Sequence, residues 1–552
     1  MVSNLWQGLW RSHDQTKNLL NFFSYKKDID AAKKKNGQSA QASTTGQPSP
    51  KSDNEFNRKS YSTAQIVGLI LGPLLFLLTM LFFTPEGLTP EAKAVLAVTL
   101  WVATWWITES IPIPVTSLLP IFLMPVTGAL DSGTVTSSYG NDIIFLFLGG
   151  FFIATAMEKW NLHSRIAMAI IAFIGTSTQR ILLGFMVATA FLSMWVSNTA
   201  AVMMMVPMGL AITAQVASAL KGRPEENELP KFEKALIFGI GYAGTIGGLG
   251  TLIGTPPNII LAAQVKELFD VEISFAGWML IAVPIVAILT ITTWLYLGRF
   301  AFKMSIKGLP GGKEVIQKER KALGKMIFEE KVVAVVFVFA AFMWITREFL
   351  WISIMPDLKD GMIAVLATAI LFAIPTSKKH GGRVLEWKDS KEIPWGVLLL
   401  FGGGLAIAAG FRQTGLSEWI GTQLTVLDGY HILIIITLST LLVLALTEIT
   451  SNTATATMIL PVLASLALAL HIHPFALMVP AAMAANCAFM LPVGTPPNAI
   501  IFGTGKIRIV EMVRVGFFIN IFALILIVMV VYYLMPIVWG IDLNIVPAEF
   551  YN

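Results

Sequence analysis

Long apolar stretches, nearly free of charged residues, constrain this chain more than any other feature. More than ten of them approach the roughly 20 residues that an α-helix needs to cross a bilayer. Backbone polar groups inside hydrocarbon must be satisfied within the protein, and stretches of this length satisfy them as helices rather than as barrel strands. With 55% hydrophobic and only 13% charged residues, the chain lacks the polar surface of a soluble domain of 552 residues. The sequence therefore predicts an all-α polytopic membrane protein.

Eleven of the apolar stretches are predicted to be transmembrane helices. Two more, 180–219 and 432–470, are each interrupted midway by Ser-Asn-Thr, and crossings there would break the alternation of the later loops. Both are therefore predicted to be re-entrant hairpins, one entering from each side. The predicted crossings are 62–84, 91–108, 111–130, 141–174, 234–264, 277–302, 330–352, 360–376, 394–420, 474–504 and 512–538.

The basic residues fall mainly in short loops, such as 303–331 and 377–393, whereas 85–90 and 131–142 are poor in Lys and Arg. Because positive loops stay on the cytoplasmic side, this asymmetry predicts a cytoplasmic amino terminus and an extracellular carboxyl terminus. The formal net charge of +5 is then a sign of topology, and no nucleic-acid partner is predicted. No cleavable signal peptide is visible, so a multi-pass protein of the plasma membrane, in contact with lipid, is predicted.

Two motifs occur twice in the same order. SNTAAVMMMVP at 197–207 matches SNTATATMILP at 451–461, which lies 254 residues further on, and GTPPN at 254–258 recurs at 494–498. An odd number of predicted crossings separates the copies, so the two repeats are predicted to be inverted relative to one another. Inverted repeats with broken helices are typical of secondary transporters, whose sites lie near the bilayer midplane where the repeats meet.

The chemistry of the two motifs suits a small anion together with a small cation. A chain break in hydrocarbon costs several kcal/mol for each unsatisfied backbone group, unless the break lines a cavity or binds something. The hydroxyls and carboxamide of Ser-Asn-Thr can donate to anion oxygens or coordinate a cation. In Gly-Thr-Pro-Pro-Asn, glycine permits close approach and the prolines remove amide donors, leaving carbonyls for a hard cation. Helix amino termini beyond the breaks favour carboxylates without buried Arg or Lys.

A few polar residues outside the motifs also merit interpretation. Glu448 lies in the second hairpin, where it either serves the site or accepts hydrogen bonds from backbone amides, and both hypotheses stay open. His471 and His473 are predicted to be solvated, and Cys487 to be a small buried side chain. No Ser-His-Asp pattern, zinc pattern or phosphate-loop spacing is present, so neither an enzyme nor an organic cofactor is predicted.

The paired motifs, together with ITESIPIPVTSLLP at 107–120 and GGG at 402–404, resemble the divalent anion/sodium symporter family from about residue 62 to 538. The resemblance implies sodium-coupled symport of C4/C5 dicarboxylates such as succinate, malate, fumarate or 2-oxoglutarate. It also implies a homodimeric elevator-type transporter with scaffold and transport domains. The predicted divisions are an amphipathic or disordered cytoplasmic extension at 1–60, scaffold parts at 61–178 and 311–428, and transport parts at 179–310 and 429–552.

The same resemblance implies the site residues. The first sodium site corresponds to Ser193, Ser197, Asn198 and Gly254. The second corresponds to Thr447, Thr450, Ser451, Asn452, Gly494 and Pro496. The substrate-binding residues are Asn198, Thr199, Thr255, Asn452, Thr453, Thr495 and Pro496.

Several alternatives stay open on the sequence alone. The family also contains exchangers that swap dicarboxylates without a sodium gradient, and citrate or sulfate could replace the dicarboxylate if one pocket side chain differed. An anion channel would need a continuous pore, and an intramembrane enzyme would need a nucleophile and base that the motifs do not supply.

Overall fold

The computed structural model describes residues 61–175, 177–221, 224–303, 312–423 and 429–551. Within these ranges every regular element is helical, apart from one isolated β-bridge between Pro375 and Arg383. The fold class predicted from the apolar stretches is therefore confirmed at the level of an all-helical membrane protein. The predictions made for the extension 1–60 lie outside the described residues.

The α-helices are numbered here in chain order. They are α1 (Thr63–Phe82), α2 (Pro90–Thr108), α3 (Ile113–Thr116), α4 (Leu119–Thr127), α5 (Ser132–Ser137), α6 (Asp142–Lys159), α7 (Leu162–Ile174), α8 (Thr178–Ser193), α9 (Asn198–Leu220), α10 (Leu229–Gly248), α11 (Pro256–Phe269), α12 (Phe275–Leu295), α13 (Gly312–Ala322), α14 (Phe328–Thr346), α15 (Asp360–Ala373), α16 (Trp395–Gln413), α17 (Leu416–Gln423), α18 (Ile432–Thr447), α19 (Asn452–Ala469), α20 (Phe475–Ala485), α21 (Pro496–Gly503), α22 (Ile509–Met529) and α23 (Met535–Trp539). Three helices, α12, α14 and α22, continue as π-helical segments at Tyr296–Ala301, Arg347–Trp351 and Val530–Leu534. Short 3₁₀ turns lie at Ser138–Gly140, Pro224–Glu228, Trp387–Glu392 and Ala548–Tyr551.

Polar side chains at the helix starts determine where several of these helices begin. Thr89, Asn141, Ser177, Ser197 and Ser274 each accept a hydrogen bond from a backbone N–H in the first turn of the helix that follows. Each bond satisfies one of the amide groups that a helix start leaves without a partner, which matters more in an apolar surrounding than in water.

In the described part of the chain, eight helices are long and apolar enough to cross a membrane. Two of these are α9 and α19, the second arms of the predicted hairpins. Length and composition therefore do not separate a crossing helix from a re-entrant arm, and the eleven crossings stay a prediction.

Three predicted spans are broken where neither of the repeated motifs occurs. The stretch 141–174 forms α6 and α7, which meet at Asn161 with a left-handed φ of 57°, and 394–420 forms α16 and α17, which meet at Gly415 with φ of 74°. Asn and Gly are the residues that adopt this conformation most readily. The two bends also lie at equivalent points of the two repeats. The predicted span 111–130 is also divided, into α3 and α4, by a run of prolines that removes backbone donors.

The four motif copies coincide with four breaks in helical structure. The Ser-Asn-Thr copies separate α8 from α9 and α18 from α19, and the Gly-Thr-Pro-Pro-Asn copies separate α10 from α11 and α20 from α21. The segments between α10 and α11 and between α20 and α21 are called the first break and the second break below.

The two repeats exchange their carboxyl-terminal half-helices. Within each repeat the first hairpin arm packs on the first half of the broken helix, α8 on α10 and α18 on α20. The second half of each broken helix instead contacts the other repeat, α11 against α19 and α20, and α21 against α9 and α10. Reciprocal packing of this kind is what two copies related by a pseudo-two-fold axis produce.

A charge cluster, with Arg347 and Asp360 buried and Glu272 exposed, joins the segment before α12 to α14 and α15. Arg347 contacts Asp360 at 2.8 Å and Glu272 at 2.7 Å, and the backbone N–H of Phe275 donates to the other Asp360 oxygen at 3.2 Å. Phe275 also stacks on Trp344, with ring centroids 4.9 Å apart. The start of α12 is thereby held against α14 and α15 by both charge and aromatic contacts.

Candidate functional site

The first hairpin tip is attached to the first break by Ser193 and Asn198. Ser193 Oγ, at the end of α8, donates to the carbonyl oxygen of Gly244 at 2.6 Å. The side-chain amide of Asn198, the first residue of α9, lies 2.5 Å from Ser193 Oγ. Its Nδ2 donates hydrogen bonds to the carbonyl oxygens of Gly244 and Gly254, both at 3.3 Å. These four residues are called the first cradle.

The second repeat reproduces this arrangement with Thr447 and Asn452. Thr447 Oγ1, at the end of α18, lies 2.7 Å from Asn452 Oδ1 and 2.5 Å from the carbonyl oxygen of Ala485. Thr447 and Asn452 lie 254 residues after Ser193 and Asn198, the separation of the Ser-Asn-Thr copies. Together with Ala485, and with Gly494 as the motif equivalent of Gly254, they form the second cradle. The equivalence extends to the hydroxyl's contacts with a carboxamide and a carbonyl, whereas the bonds from Asn198 to two carbonyls have no counterpart at Asn452 in the part of the chain that the structure describes.

The last residue of each Gly-Thr-Pro-Pro-Asn copy closes its break. Asn258 Nδ2 donates to the carbonyls of Gly248 and Thr251 at 3.0 and 2.8 Å, and Asn498 Nδ2 donates to those of Ala488 and Leu491 at 2.9 and 3.0 Å. Both asparagines are fully buried. The sequence analysis predicted no role for these two asparagines of the motif. A buried carboxamide beside a helix break is a signal from which this role could have been predicted.

The oxygen atoms of the cradles fit a small hard cation. Each cradle gathers hydroxyl and backbone carbonyl oxygens beside a carboxamide, and turning the Asn198 amide over would add its Oδ1 to the first set. Such oxygens are the donors that hard cations prefer. Glycine is needed in the first cradle because a Cβ on Gly254 would lie 2.5 Å from the carbonyl oxygen of Gly248. At Gly494 the closest contact of a Cβ would be Ala488 Cβ at 3.0 Å, so the second cradle is less tight.

Solvent exposure divides the predicted site residues into two groups. Ser193, Gly254, Thr447, Gly494, Thr255 and Thr495 are buried, whereas Asn198, Thr199, Thr450, Ser451, Asn452 and Thr453 are half-buried and Ser197 and Pro496 are exposed. Four of the six buried residues, Ser193, Gly254, Thr447 and Gly494, are predicted sodium ligands, and the helix starts at α9 and α19 remain accessible. A dianion at these starts would meet the partial positive charge of two helix ends.

Thr450 takes part in local bonds at the second hairpin tip. Its Oγ1 donates to the carbonyl of Leu446 at 2.7 Å and lies 2.5 Å from Thr455 Oγ1. The structure therefore places Thr450 beside the second cradle without bringing its hydroxyl onto Thr447 or Asn452.

Glu448 joins the second hairpin to the second break. Its carboxylate accepts backbone N–H bonds from Phe489, Met490 and Leu491 at 2.8 to 3.2 Å and a bond from Asn520 Nδ2 at 2.6 Å. Of the two hypotheses left open by the sequence, hydrogen bonding to backbone amides is the one observed.

Two buried side chains connect the repeats at the breaks. Asn486 Nδ2 donates to the carbonyl of Thr245 at 2.7 Å, and Asn486 Oδ1 accepts from Thr255 Oγ1 at 2.8 Å. Tyr242 OH, on α10, donates to the carbonyl of Phe489 at 2.9 Å. Sequence reasoning missed both residues, since each is a lone polar group in an apolar helix and no repeated motif contains it.

The prediction that His473 is solvated is wrong. The residue is 1% exposed, its backbone N–H donates to the carbonyl of Leu543 at 2.9 Å, and its ring lies 4.8 Å from that of Phe550. The carboxyl-terminal segment covers it, a tertiary contact that local polarity does not indicate. Cys487 is fully buried, as predicted.

The fold and the paired cradles define a multi-pass helical membrane protein built from two copies of one unit. Residues 63–540 match the family described as the sodium:sulfate symporter transmembrane region, and the chain belongs to this family. It is 57% identical over 495 residues to a sodium-dependent dicarboxylate transporter, SdcS, of Staphylococcus saprophyticus, covering 89% of this chain and 95% of that protein. It is 58% identical over 492 residues to SdcS of Staphylococcus aureus strain MRSA252, covering 88% and 94%.

Two solved structures share the fold at low sequence identity. The YdaH transporter of Alcanivorax borkumensis superposes with a TM-score of 0.55 at 14% identity, covering 87% of this chain and 98% of that chain. MtrF of Neisseria gonorrhoeae superposes with a TM-score of 0.50 at 11% identity, covering 85% and 95%. These similarities concern the helical architecture alone.

Proposed function

We propose that this chain is a secondary active transporter that couples the uptake of C4 or C5 dicarboxylates to sodium. The observation that carries the proposal is the pair of equivalent cradles, formed by Ser193 and Asn198 in one repeat and Thr447 and Asn452 in the other. The similarity to SdcS over nearly the whole chain supports the substrate class and the coupling ion.

The geometry suggests how sodium and substrate would act on the same groups. In each cradle a hydroxyl joins a hairpin tip to the helix before the break and lies against the carboxamide that starts the second hairpin arm. Sodium ions bound there would add positive charge behind the tips and fix Asn198 and Asn452 in place. The ordered helix starts, with Thr199 and Thr453 next in sequence, would then receive the two carboxylates. Thr255, Thr495 and Pro496 stand at the starts of the half-helices α11 and α21 and complete the proposed substrate site.

The proposed architecture is an elevator-type homodimer with eleven crossings, two re-entrant hairpins and inverted repeats. Scaffold parts at 61–178 and 311–428 would hold transport parts at 179–310 and 429–552, with the amino terminus in the cytoplasm of a plasma membrane and the carboxyl terminus outside. The reciprocal exchange of α11 and α21 supports the inverted relation of the repeats.

Uptake of labelled succinate into proteoliposomes tests the function. We expect saturable uptake into empty vesicles when an inward sodium gradient is present and little uptake when potassium replaces sodium. Uptake that requires internal dicarboxylate, with or without sodium, would instead establish an exchanger. Large substrate currents without saturation would establish a channel. Competition by citrate and sulfate measures whether either is a better substrate than succinate.

Single substitutions test the proposed site within the same assay. Asn198→Ala and Asn452→Ala are each expected to lower sodium-driven succinate uptake at least about tenfold, because the first removes a bond between a tip and its break and the second removes the partner of Thr447 Oγ1 within the other tip. Asn544→Ala, in the exposed carboxyl-terminal segment, is the matched control and should leave uptake unchanged. Wild-type uptake by both site variants would remove these residues from the site.

A further inference from the structure

The two copies of Gly-Thr-Pro-Pro-Asn differ in the partner of their threonine hydroxyl. Thr255 and Thr495 have nearly the same backbone conformation, with φ and ψ of −148° and 146° at Thr255 and −142° and 149° at Thr495. Thr495 Oγ1 accepts a hydrogen bond from the N–H of Asn498 at 3.3 Å and so caps its own helix. Thr255 makes no such cap, and its Oγ1 donates across the repeat boundary to Asn486 Oδ1 at 2.8 Å.

The orientation of the Asn486 amide follows from its other partner. Its Nδ2 lies 2.7 Å from the carbonyl oxygen of Thr245, which can only accept, so Oδ1 must be the atom that faces Thr255. The carbonyl of Thr245 is one of the last of α10, and the N–H of Leu249 bonds to the carbonyl of Ile246 instead. Asn486 is fully buried and therefore satisfies a helix-end carbonyl that water does not reach.

One side chain of the second repeat thus holds both ends of the first break. Thr245 lies where α10 ends and Thr255 where α11 begins. Each is the immediate neighbour of a first-cradle carbonyl, those of Gly244 and Gly254. Fixing residues 245 and 255 fixes the separation of these two carbonyls, and cation affinity depends on such separations to within a few tenths of an ångström.

Among the described residues, no single side chain of the first repeat bonds to both ends of the second break, although Tyr242 bonds to the Phe489 carbonyl within it. Counted from the equivalent cradle carbonyls of Gly244 and Ala485, the residue equivalent to Asn486 is Thr245, whose buried Oγ1 has no hydrogen-bond partner in the described part of the chain. The second break is instead held by Glu448 from its own hairpin. The two cradles are therefore equivalent in their ligands and different in what supports them.

We propose that Asn486 is a positioning residue that sets the sodium affinity of the first cradle by holding Thr245 and Thr255 together. This inference rests on the proposed sodium coupling. The hydrogen bonds of the Asn486 side chain go to Thr245 and Thr255 and not to a first-cradle ligand, so it acts through the two ends of the break. Because it belongs to the second break, it also makes the geometry of the first cradle depend on the other repeat.

The test measures the sodium concentration that gives half-maximal succinate uptake, at saturating succinate, in proteoliposomes. Asn486→Leu removes both bonds while keeping the number of side-chain heavy atoms and is expected to raise this concentration roughly five- to tenfold. Thr255→Val removes one bond and is expected to raise the half-maximal sodium concentration less than Asn486→Leu does. The double variant should be no worse than Asn486→Leu, because both substitutions act on one connection.

Gln264→Leu is the matched control. Gln264 is also a buried amide that joins the repeats, since its Nε2 donates to the carbonyl of Thr457 at 3.0 Å, but it contacts neither break. We expect its half-maximal sodium concentration to stay within about twofold of the wild type. An equal shift in Gln264→Leu and Asn486→Leu would show a general loss of packing and would overturn the proposal.

A second measurement separates the failure of this inference from failure of the proposed function. Sodium should raise the apparent melting temperature of the purified wild type, and Asn486→Leu should need more sodium for the same rise. If the wild type shows sodium-driven uptake and Asn486→Leu retains its sodium dependence, only the role of Asn486 is refuted. If Asn486→Leu does not fold, Thr255→Val decides, and an unchanged sodium dependence in that variant refutes the role. If the wild type shows no sodium dependence in either assay, the proposed coupling fails, and the role of Asn486 with it.

Discussion

At the scale of single residues, the two breaks satisfy their backbone amides in different ways. The first two N–H groups of each break, those of Leu249 and Gly250 and of Asn486 and Cys487, bond to nearby backbone carbonyls. The breaks differ further on, because the residue equivalent to Glu448 in the first hairpin is Met194. In the second break the N–H groups of residues 489–491 point at the Glu448 carboxylate. A buried carboxylate is costly to desolvate unless several donors surround it, and here four do.

Glu448→Gln should therefore destabilise the second break. Glutamine offers one acceptor oxygen in place of two, and its NH₂ group would face the N–H of Met490 or Leu491. Leaving a buried donor unsatisfied costs on the order of 1–3 kcal/mol, so a lower apparent melting temperature and weaker uptake are expected. Glu91→Gln, at an exposed acid, is the control. An unchanged melting temperature for Glu448→Gln would contradict the account.

At the scale of helices and breaks, the two motif glycines should respond differently to an added methyl group. A Cβ on Gly254 would meet the Gly248 carbonyl oxygen at 2.5 Å, a backbone atom that cannot move aside alone. A Cβ on Gly494 would meet Ala488 Cβ at 3.0 Å and the Glu448 carbonyl oxygen at 3.4 Å, which a small shift relieves. Gly254→Ala should abolish succinate uptake and Gly494→Ala should retain most of it. Equal effects of the two substitutions would show that the cradles are equally tight.

The docking of the carboxyl-terminal segment should depend on pH through His473. Burial lowers its pKa to about 4, while the nearby charge of Asp542 acts in the opposite direction. Unfolded histidine titrates near pH 6.5, so the undocked state binds the extra proton first. Docking is then stable above pH 6.5, weakens as the pH falls toward 4, and changes little below that.

Limited proteolysis of the carboxyl-terminal segment between pH 4 and 8 measures this dependence. His473→Gln should remove it, because glutamine does not titrate. His431→Gln is a matched control. In both histidines Nδ1 accepts a hydrogen bond, at 3.2 Å, from the backbone N–H two residues later in the chain, but His431 is exposed. Cleavage by protease that is independent of pH in the wild type would refute the effect.

Hydropathy and repeated motifs determine which helices and breaks could be predicted from the sequence. Breaks at duplicated polar motifs were predictable because polar residues interrupt apolar stretches at matched positions. The bends at Asn161 and Gly415 were not, since a left-handed φ leaves the apolar pattern unchanged. Asn486 and His473 have hydrogen-bond partners far away in sequence, Thr245 and Leu543, and no local sequence pattern predicts such pairs.

At the scale of the whole molecule, the repeats depend on each other. The half-helices α11 and α21 pack against the opposite repeat, and Asn486, Tyr242 and Gln264 each donate to a carbonyl across the boundary. A single repeat would leave these buried groups without partners, at a cost that no small gain elsewhere offsets. The duplicated sequence therefore specifies one cooperative unit.

Arg347→Met tests the charge cluster that ties the proposed transport part at Glu272 to the proposed scaffold at Asp360. The Arg347 and Asp360 side chains are 6% and 7% exposed, so removing the cation leaves a carboxylate buried without its counter-charge. Breaking such a pair costs about 3–5 kcal/mol, and the apparent melting temperature of the purified protein should fall by several degrees. Lys388→Met breaks the surface ion pair with Glu386, in which the Lys388 side chain is 70% exposed. This substitution should change the apparent melting temperature little. Equal melting temperatures for both variants would mean that the cluster contributes no more to stability than a solvated pair.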